Sequence, residues 1–422
     1  MKTGYKQTEV GVIPEEWEVK TMDSLTNLMT NGFVGIATSA YVNGDDGILY
    51  IQGYNVEENG FDFHGIKRVS RSFHARNQKS CLREGDLLTI QTGDIGVTTV
   101  VPPELAGANC HALVISRFDQ RFSEPRFYCQ YFNAERGRAQ FKEIETGSTM
   151  KHLNVGDMKL LFLPAPPVEE QRAIATALSD VDALLAALDR LIAKKRDLKQ
   201  AAMQQLLTGL TRLPGFTGTW LVKRLGDVGT CIRGVSYQGD SDLSPHDTAH
   251  TKRLLRSNNV QESTIVISDV QFVNAARVSE KQILRKNDIL ICMANGSKAL
   301  VGKAGIFCLD DGYIYTFGAF MGCFRNNSDT SCSAFVFYLF QTGRYRDYIN
   351  NLLAGSSINN LSPGSIESLE FLMPPLPEQT AIATVLSDMD AELATVERRL
   401  EKNRALKQGM MQELLTGRTR LV

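Results

Sequence analysis

No run of about 18 apolar residues occurs in the chain, so it offers no helix able to span a membrane. The N-terminus, MKTGYKQTEVGVIPEEW, lacks the apolar core of a secretory signal, which predicts a cytoplasmic protein. Eight cysteines, at 81, 110, 129, 231, 292, 308, 323 and 332, form no CxxC pair and follow no regular spacing, so buried free thiols are expected. His246 and His250 are spaced for one helical face, but they lie in a Ser/Asp/Pro-rich loop without a matching cysteine or carboxylate pattern, and no metal site is expected. An excess of one charge is missing too. Lys and Arg number 46 against 47 Asp and Glu, a formal net charge of −1, with a pI near 6.6. A simple histone-like polyanion binder, whose pI would lie above about 9, is excluded.

Catalytic signatures are equally scarce. The nearest approach to a phosphate loop runs from Gly296 to Gly302-Lys303-Ala304; it has one residue too many between its glycines and an alanine where a hydroxyl should bind magnesium. The Pro-Pro pairs, at 102–103, 166–167 and 374–375, are not preceded by Asp or Asn or followed by an aromatic, as an amino-methyltransferase requires. No G-x-S-x-G, H-E-x-x-H or G-x-G-x-x-G after a strand is present. No catalytic residue is assigned, and catalysis by this chain alone is not expected.

What the chain does have is a repeat. The segment from Glu170 to Leu213 returns without a gap 208 positions later, from Glu378 to Leu421, with 28 of 44 positions identical. At 422 residues the chain exceeds one ordinary core, and the repeat divides it into residues 1–165, a first globular domain; 166–210, a long helix; 211–373, a second globular domain; and 374–422, a second long helix. In the second copy Ile382, Leu386, Met389, Leu393, Val396, Leu400, Asn403, Lys407, Met410 and Leu414 step by four and three, the seam of a coiled coil. Ile174, Leu178, Val181, Leu185, Leu188 and Ile192 do so in the first. Lys195, Lys199 and Asn403 fall on the seam, so the pairing there should loosen, or the seam should rotate to bring in Leu198 and Leu406. Pro164, Pro166 and Pro167, and again Pro374, Pro375 and Pro377, stiffen the entry to each helix, while Gly209 and Gly417 suit a C-terminal cap. Each helix should span about 40 residues, or roughly 60 Å, and the two should pair antiparallel.

The likeness extends into the globular parts. Trp17-Glu18-Val19-Lys20 answers Trp220-Leu221-Val222-Lys223; Gly85-Asp86-Leu87-Leu88 answers Asn287-Asp288-Ile289-Leu290; Gly147-Ser148-Thr149 answers Gly355-Ser356-Ser357. The Asp-led runs read as turns into β-strands, giving α/β domains in a pseudo-twofold tandem repeat. Thr8–Trp17 aligns with Thr211–Trp220, so the N-terminal segment should pack beside the end of the second long helix.

This order of variable domain, helix ending Leu-Leu-Thr-Gly, second variable domain and second such helix closely resembles the specificity subunit of type I restriction-modification enzymes, over the whole chain. The most specific pieces are EQxAIA, at Glu170–Ala175 and Glu378–Ala383, and KQxxMQxLLTG, at Lys199–Gly209 and Lys407–Gly417. The resemblance implies a non-catalytic subunit in which each globular part is a target-recognition domain for one half of a split, asymmetric site in double-stranded DNA, the halves about one turn apart, roughly 34 to 36 Å. It implies that the helices set the spacing and dock two modification subunits, which carry S-adenosylmethionine and methylate adenine. Restriction subunits, using ATP and magnesium, would join the complex; no cofactor and no membrane would belong to this chain.

Within that frame, phosphate contacts are expected from the carboxylate-free segment His64–Arg83, chiefly Lys67, Arg68, Arg71, Arg76 and Lys79, and in the second domain from Lys252, Arg253, Lys298 and Lys303. Base contacts need bidentate side chains, so Gln52, Tyr54 and Asn55 and their counterparts Arg256, Asn258 and Asn259 are the candidates; turn chemistry is the competing role. Thr92, Asn295 and Ser297 lie in loops after matched strands, a common place for recognition residues. A rival for the whole chain is a coiled-coil scaffold that binds only protein, whose basic cluster would be mere solvated surface.

Overall fold

The computed structural model describes residues 4–148, 151–354 and 359–421; Thr149 and Gly355-Ser356-Ser357 of the sequence match lie outside them. The chain divides into two compact units, one of Met1–Arg190 with Glu397–Val422, the other of Leu191–Val396. Among the described residues no helix is long and apolar enough to cross a membrane.

In the first unit a four-stranded antiparallel sheet runs in the order Thr98–Val100, Leu87–Ile90, Leu113–Phe118, Thr26–Asn31. Beside it lies a three-stranded sheet in which Ile48–Ile51 pairs parallel with Asn109–Cys110 and antiparallel with Lys67–Val69. The second unit repeats the plan. Its four-stranded sheet runs Gly229–Arg233, Met321–Asn326, Ile289–Cys292, Ala304–Ile306, and in its other sheet Thr251–Leu255 pairs parallel with Tyr315–Phe317 and antiparallel with Gln271–Asn274. The turns before the central strands are built alike. Gly85 and Asn287 take positive φ, and the next residue, Asp86 or Asp288, is buried and held by a two-pronged bond from Arg117 or Arg325.

The repeated segments are helices Val168–Leu206 and Leu376–Leu414, 39 residues each. Their first turns belong to the domain cores: Ile174, Ala175 and Leu178 are buried in the first, Ile382, Ala383 and Leu386 in the second. Each such leucine or isoleucine stabilises the fold by roughly 1.5–3 kcal/mol relative to exposure. Within the first unit Asp182 and Asp189 meet Lys407 and Arg404; within the second Lys195 and Lys199 meet Glu392 and Asp390. Rising numbers on one helix meet falling numbers on the other, so the pairing is antiparallel in each unit. The seam does not rotate at its lysines. Leu198 and Leu406 stay exposed, because Lys199 and Lys407 lie along the seam and end on Asp390 and Asp182, 2.5 Å away in both cases.

The two EQ dipeptides tie each helix to its own domain. Glu170 and Glu378 are buried. Trp17 donates its indole N–H to Glu170 at 3.0 Å and Trp220 does the same to Glu378 at 3.1 Å. Arg420 and Arg212 supply the opposing charge. Gln171 bonds both the proline entry, at Pro166 O, and the backbone of Glu124; Gln379 bonds Pro374 O and the backbone of Cys332. Gly209 and Gly417 take φ of +73° and +67° past the helix ends, lying against Trp220 and against Pro14 and Trp17 respectively. The N-terminal segment therefore packs at the end of the second long helix, with Tyr5 also donating to Gly417 O at 3.1 Å. All eight cysteines are free thiols; Cys110, Cys129, Cys231, Cys292 and Cys323 are buried, Cys81 and Cys332 half-buried, and Cys308 exposed, so burial is not general to them.

Candidate nucleic-acid interface

In both domains the candidate base-reading residues follow the parallel-paired strand, at one end of the sheet. Gln52 and Arg256 each open a single turn of 3-10 helix. The turn is closed by an asparagine: the backbone N–H of Gln52 donates to Asn55 Oδ1 at 3.1 Å and that of Arg256 to Asn259 Oδ1 at 2.8 Å. The amide nitrogens are used as well, Asn55 on Asp62 O and Asn259 on Val266 O and Ser268 O. Both asparagines are fully buried. They are therefore withdrawn from the base-reading set, because their polar atoms already satisfy backbone groups that would otherwise be orphaned; turn chemistry is their role.

The neighbouring side chains are free to differ. In the first domain Tyr54 is exposed, accepts from Gln52 Nε2 at 3.0 Å and donates to Gly65 O at 3.0 Å. Desolvation raises the phenol above its ordinary pKa, which keeps it a donor. In the second domain Arg256 reaches Asp269 Oδ2 at 2.8 Å, and Asn258 donates to the same oxygen at 3.1 Å. A cavity of about 1130 Å³ opens here and brings together Arg256, Asn258 and Asn295, with Tyr237 and Phe320 on its walls. The buried Nε of Arg256 has no protein partner.

The basic residues divide into two groups. Lys67, Arg71, Arg76 and Lys79 are exposed on the strand Lys67–Val69, the helix Arg71–Arg76 and the turn after it, and none forms an ion pair among the described residues. Arg68 instead faces Asp45 at 3.4 Å and donates to Gly47 O at 2.9 Å. Arg253 is committed further: it bonds Asp247 at 2.9 Å and Tyr315 at 3.1 Å and lies over the ring of Tyr313. Both are engaged in holding loops together. Lys252 and Lys303 are half-buried, whereas Lys298 is exposed and reaches Leu353 O at 3.4 Å; none of the three lines the cavity. Thr92 and Ser297 are exposed in their loops, Ser297 giving its N–H to Asn295.

Phe320 is absent from the sequence-derived candidates. The link from Phe317 to Met321 is one residue longer than that from Cys110 to Leu113, as the strand registers show. That length presents Phe320, 69% exposed, at the cavity wall. Val34 and Ile36 are absent from them as well, although an apolar run broken by Gly32 and Gly35 is a visible signal of a loop.

Comparison with known proteins agrees with this architecture. A family model described as the type I restriction modification DNA specificity domain matches residues 14–195 and again residues 217–403. The chain is 32% identical over 198 residues to the type I restriction enzyme EcoKI specificity subunit of Escherichia coli (strain K12), covering 47% of this chain and 42% of that one. Against the StySPI specificity subunit of Salmonella potsdam it is 32% identical over 183 residues, 43% of this chain and 39% of the relative. The match thus spans about two fifths of the length of these curated relatives. In structure the chain is similar to the type I restriction-modification system S subunit from M. genitalium, with a TM-score of 0.60 and 16% identity over 94% of this chain and 96% of that one, a likeness of fold.

Proposed function

The chain belongs to the type I restriction-modification DNA specificity family, and from that premise we propose that it is a non-catalytic subunit that directs partner enzymes to a bipartite DNA sequence. Each globular domain reads one half-site, and the long helices set the spacing and dock two modification subunits. Adenine methylation, with S-adenosylmethionine, is the work of those partners, and ATP- and magnesium-dependent restriction subunits join them. One observation carries this reading: two domains built on the same strand order and the same Asn-closed turn present different side chains at one rim, Gln52 and Tyr54 against Arg256 and Asn258. Equal frames with unequal rims suit an asymmetric target, since Gln pairs with adenine and Arg with guanine in the major groove.

The helices support the partner side of the proposal. Their 28 of 44 shared positions provide two near-equivalent surfaces, as two copies of one partner require. Phosphate contacts are assigned to Lys67, Arg71, Arg76 and Lys79, and base contacts to Gln52, Tyr54, Arg256, Asn258 and Asn295, with Thr92, Ser297 and Lys298 beside them. A protein-only scaffold leaves the rim cavity and the four unpaired cations without a use. Methylome sequencing of cells with and without this chain tests the proposal. One split motif should vanish with the chain, and an unchanged methylome contradicts it.

A further inference from the structure

The first domain carries an apolar loop with two side chains, Val34 and Ile36, that its own cores do not use. Residues 32–37, Gly-Phe-Val-Gly-Ile-Ala, leave the four-stranded sheet after Asn31. On them Val34 is 66% exposed and Ile36 is 85% exposed, the highest value among the large hydrophobic side chains described. One exposed isoleucine is ordinary on any protein surface. Two on one short loop, rigidly held on both sides, call for a reason.

The anchoring is specific. Phe33 donates its N–H to Cys110 O at 2.8 Å and accepts from the N–H of Ala112 at 3.0 Å, while Ala37 is buried. The ring of Phe33 meets that of Phe73 edge-on at 4.8 Å. Phe73 is the buried residue of the helix Arg71–Arg76, so the tip is packed onto the element that exposes Arg71 and Arg76. It also emerges beside the candidate base reader. The backbone N–H of His111 donates to Ile51 O at 2.8 Å, His111 bridges to Phe33 in parallel, and Gln52 follows Ile51 directly. Phe33 thus ties the apolar tip both to the helix that exposes Arg71 and Arg76 and, through His111, to the strand that leads into Gln52.

We propose that Val34 and Ile36 form a wedge that enters between base steps of the duplex and kinks it at the first domain's half-site, while Arg71 and Arg76 take the flanking phosphates. The proposal rests on the DNA-reading role given above and adds a deformation to it. Unstacking a step costs energy; burying two aliphatic side chains against base faces and drawing the backbone onto the basic helix offset that cost. Charge decides the occupant: the tip is packed through Phe33 onto the helix that exposes the unpaired cations Arg71 and Arg76, which suit a polyanion such as bent DNA better than an apolar protein surface.

The test uses the full chain assembled with modification subunits and a short duplex bearing the site found by methylome sequencing, with a fluorescent donor and acceptor at its ends. Wild-type chain should raise energy transfer above that of free DNA. The double variant Val34→Ser, Ile36→Ser, whose side chains pack against nothing in the core, should select the same bases, return transfer to the free-DNA value and bind about tenfold more weakly, or ~1.4 kcal/mol. A mismatch scanned through the half-site should restore most of that affinity at one step, since a mismatched step is already partly unstacked. Equal transfer for variant and wild type overturns the wedge, as does site-selective wild-type binding without any bend. Loss of modification-subunit assembly by the variant in the absence of DNA makes the tip a protein contact instead. Failure of the wild type to select any bipartite site overturns the DNA-reading role along with the wedge.

Discussion

Arg420 grips Glu170 with two nitrogens, Nε at 2.5 Å and Nη2 at 2.8 Å, in the same way that Arg212 grips Glu378 within the other unit. Each glutamate also takes an indole N–H, from Trp17 or Trp220. The first domain's tryptophan precedes its helix in the same way as the second's, but its arginine comes from the far end of the chain. The same junction is thus built in each unit, with the buried carboxylate of its EQ dipeptide at the centre.

Removing Arg420 leaves Glu170 buried with a charge and only an indole to meet it. Arg420→Ala should cost roughly 3 kcal/mol of stability, the lower end of the range for breaking a buried pair, because the arginine is itself partly exposed. Adding Glu170→Gln should recover much of the loss. Urea unfolding of the two variants checks both values, and a loss under 1 kcal/mol for Arg420→Ala would show that the pair does not hold this junction.

The seam lysines should behave as register locks. Lys407 reaches Asp182, which also accepts from Gln130, and Lys199 reaches Asp390, which accepts from Tyr338, whose phenol burial holds neutral. Lys407→Ala should cost about 2 kcal/mol, between the values for exposed and buried pairs. A double-mutant cycle with Asp182→Ala should give a coupling energy above about 0.5 kcal/mol; strict additivity would mean that the two groups are merely adjacent.

The long helices, their antiparallel order and the domain repeat are legible in the sequence because heptad spacing and an ungapped internal repeat are local signals. The seam is not legible at Lys199 and Lys407, since a lysine at an apolar position reads as a defect until its partner on the other helix is known. Asn55 and Asn259 show the same limit from the other side. Their residue type suits base reading and turn closure equally, and only burial separates the two uses. Arg68 and Arg253 look like available charge in the sequence because their acidic neighbours, Asp45 and Asp247, sit 23 and 6 residues away, in loops whose return is not periodic.

That division predicts opposite phenotypes for adjacent residues. Asn259→Ala should lower stability by roughly 1–3 kcal/mol, the cost of stranding buried backbone groups, and leave base preference as it was in whatever protein still folds. Asn258→Ala should leave stability within about 0.5 kcal/mol and relax the second half-site at one position. Thermal unfolding with binding selection on a randomised half-site distinguishes them, and exchanged phenotypes would contradict the assignment.

Neutralising Lys67, Arg71 and Arg76 together should weaken binding to all duplexes alike. The slope of log affinity against log salt should fall by about 0.9 for each phosphate that is no longer neutralised, with the preferred sequence unchanged. Titration at several salt concentrations reads this directly; an unchanged slope would return the cluster to ordinary solvated surface.

The central claim, that each domain reads its own half of a split site, is tested most directly by exchanging residues 211–373 for the second domain of another family member and sequencing the methylated motif in cells. The exchange should change one half-site and leave the other half, read by the first domain, as it was. A motif unchanged in both halves, or changed in both, would contradict the account.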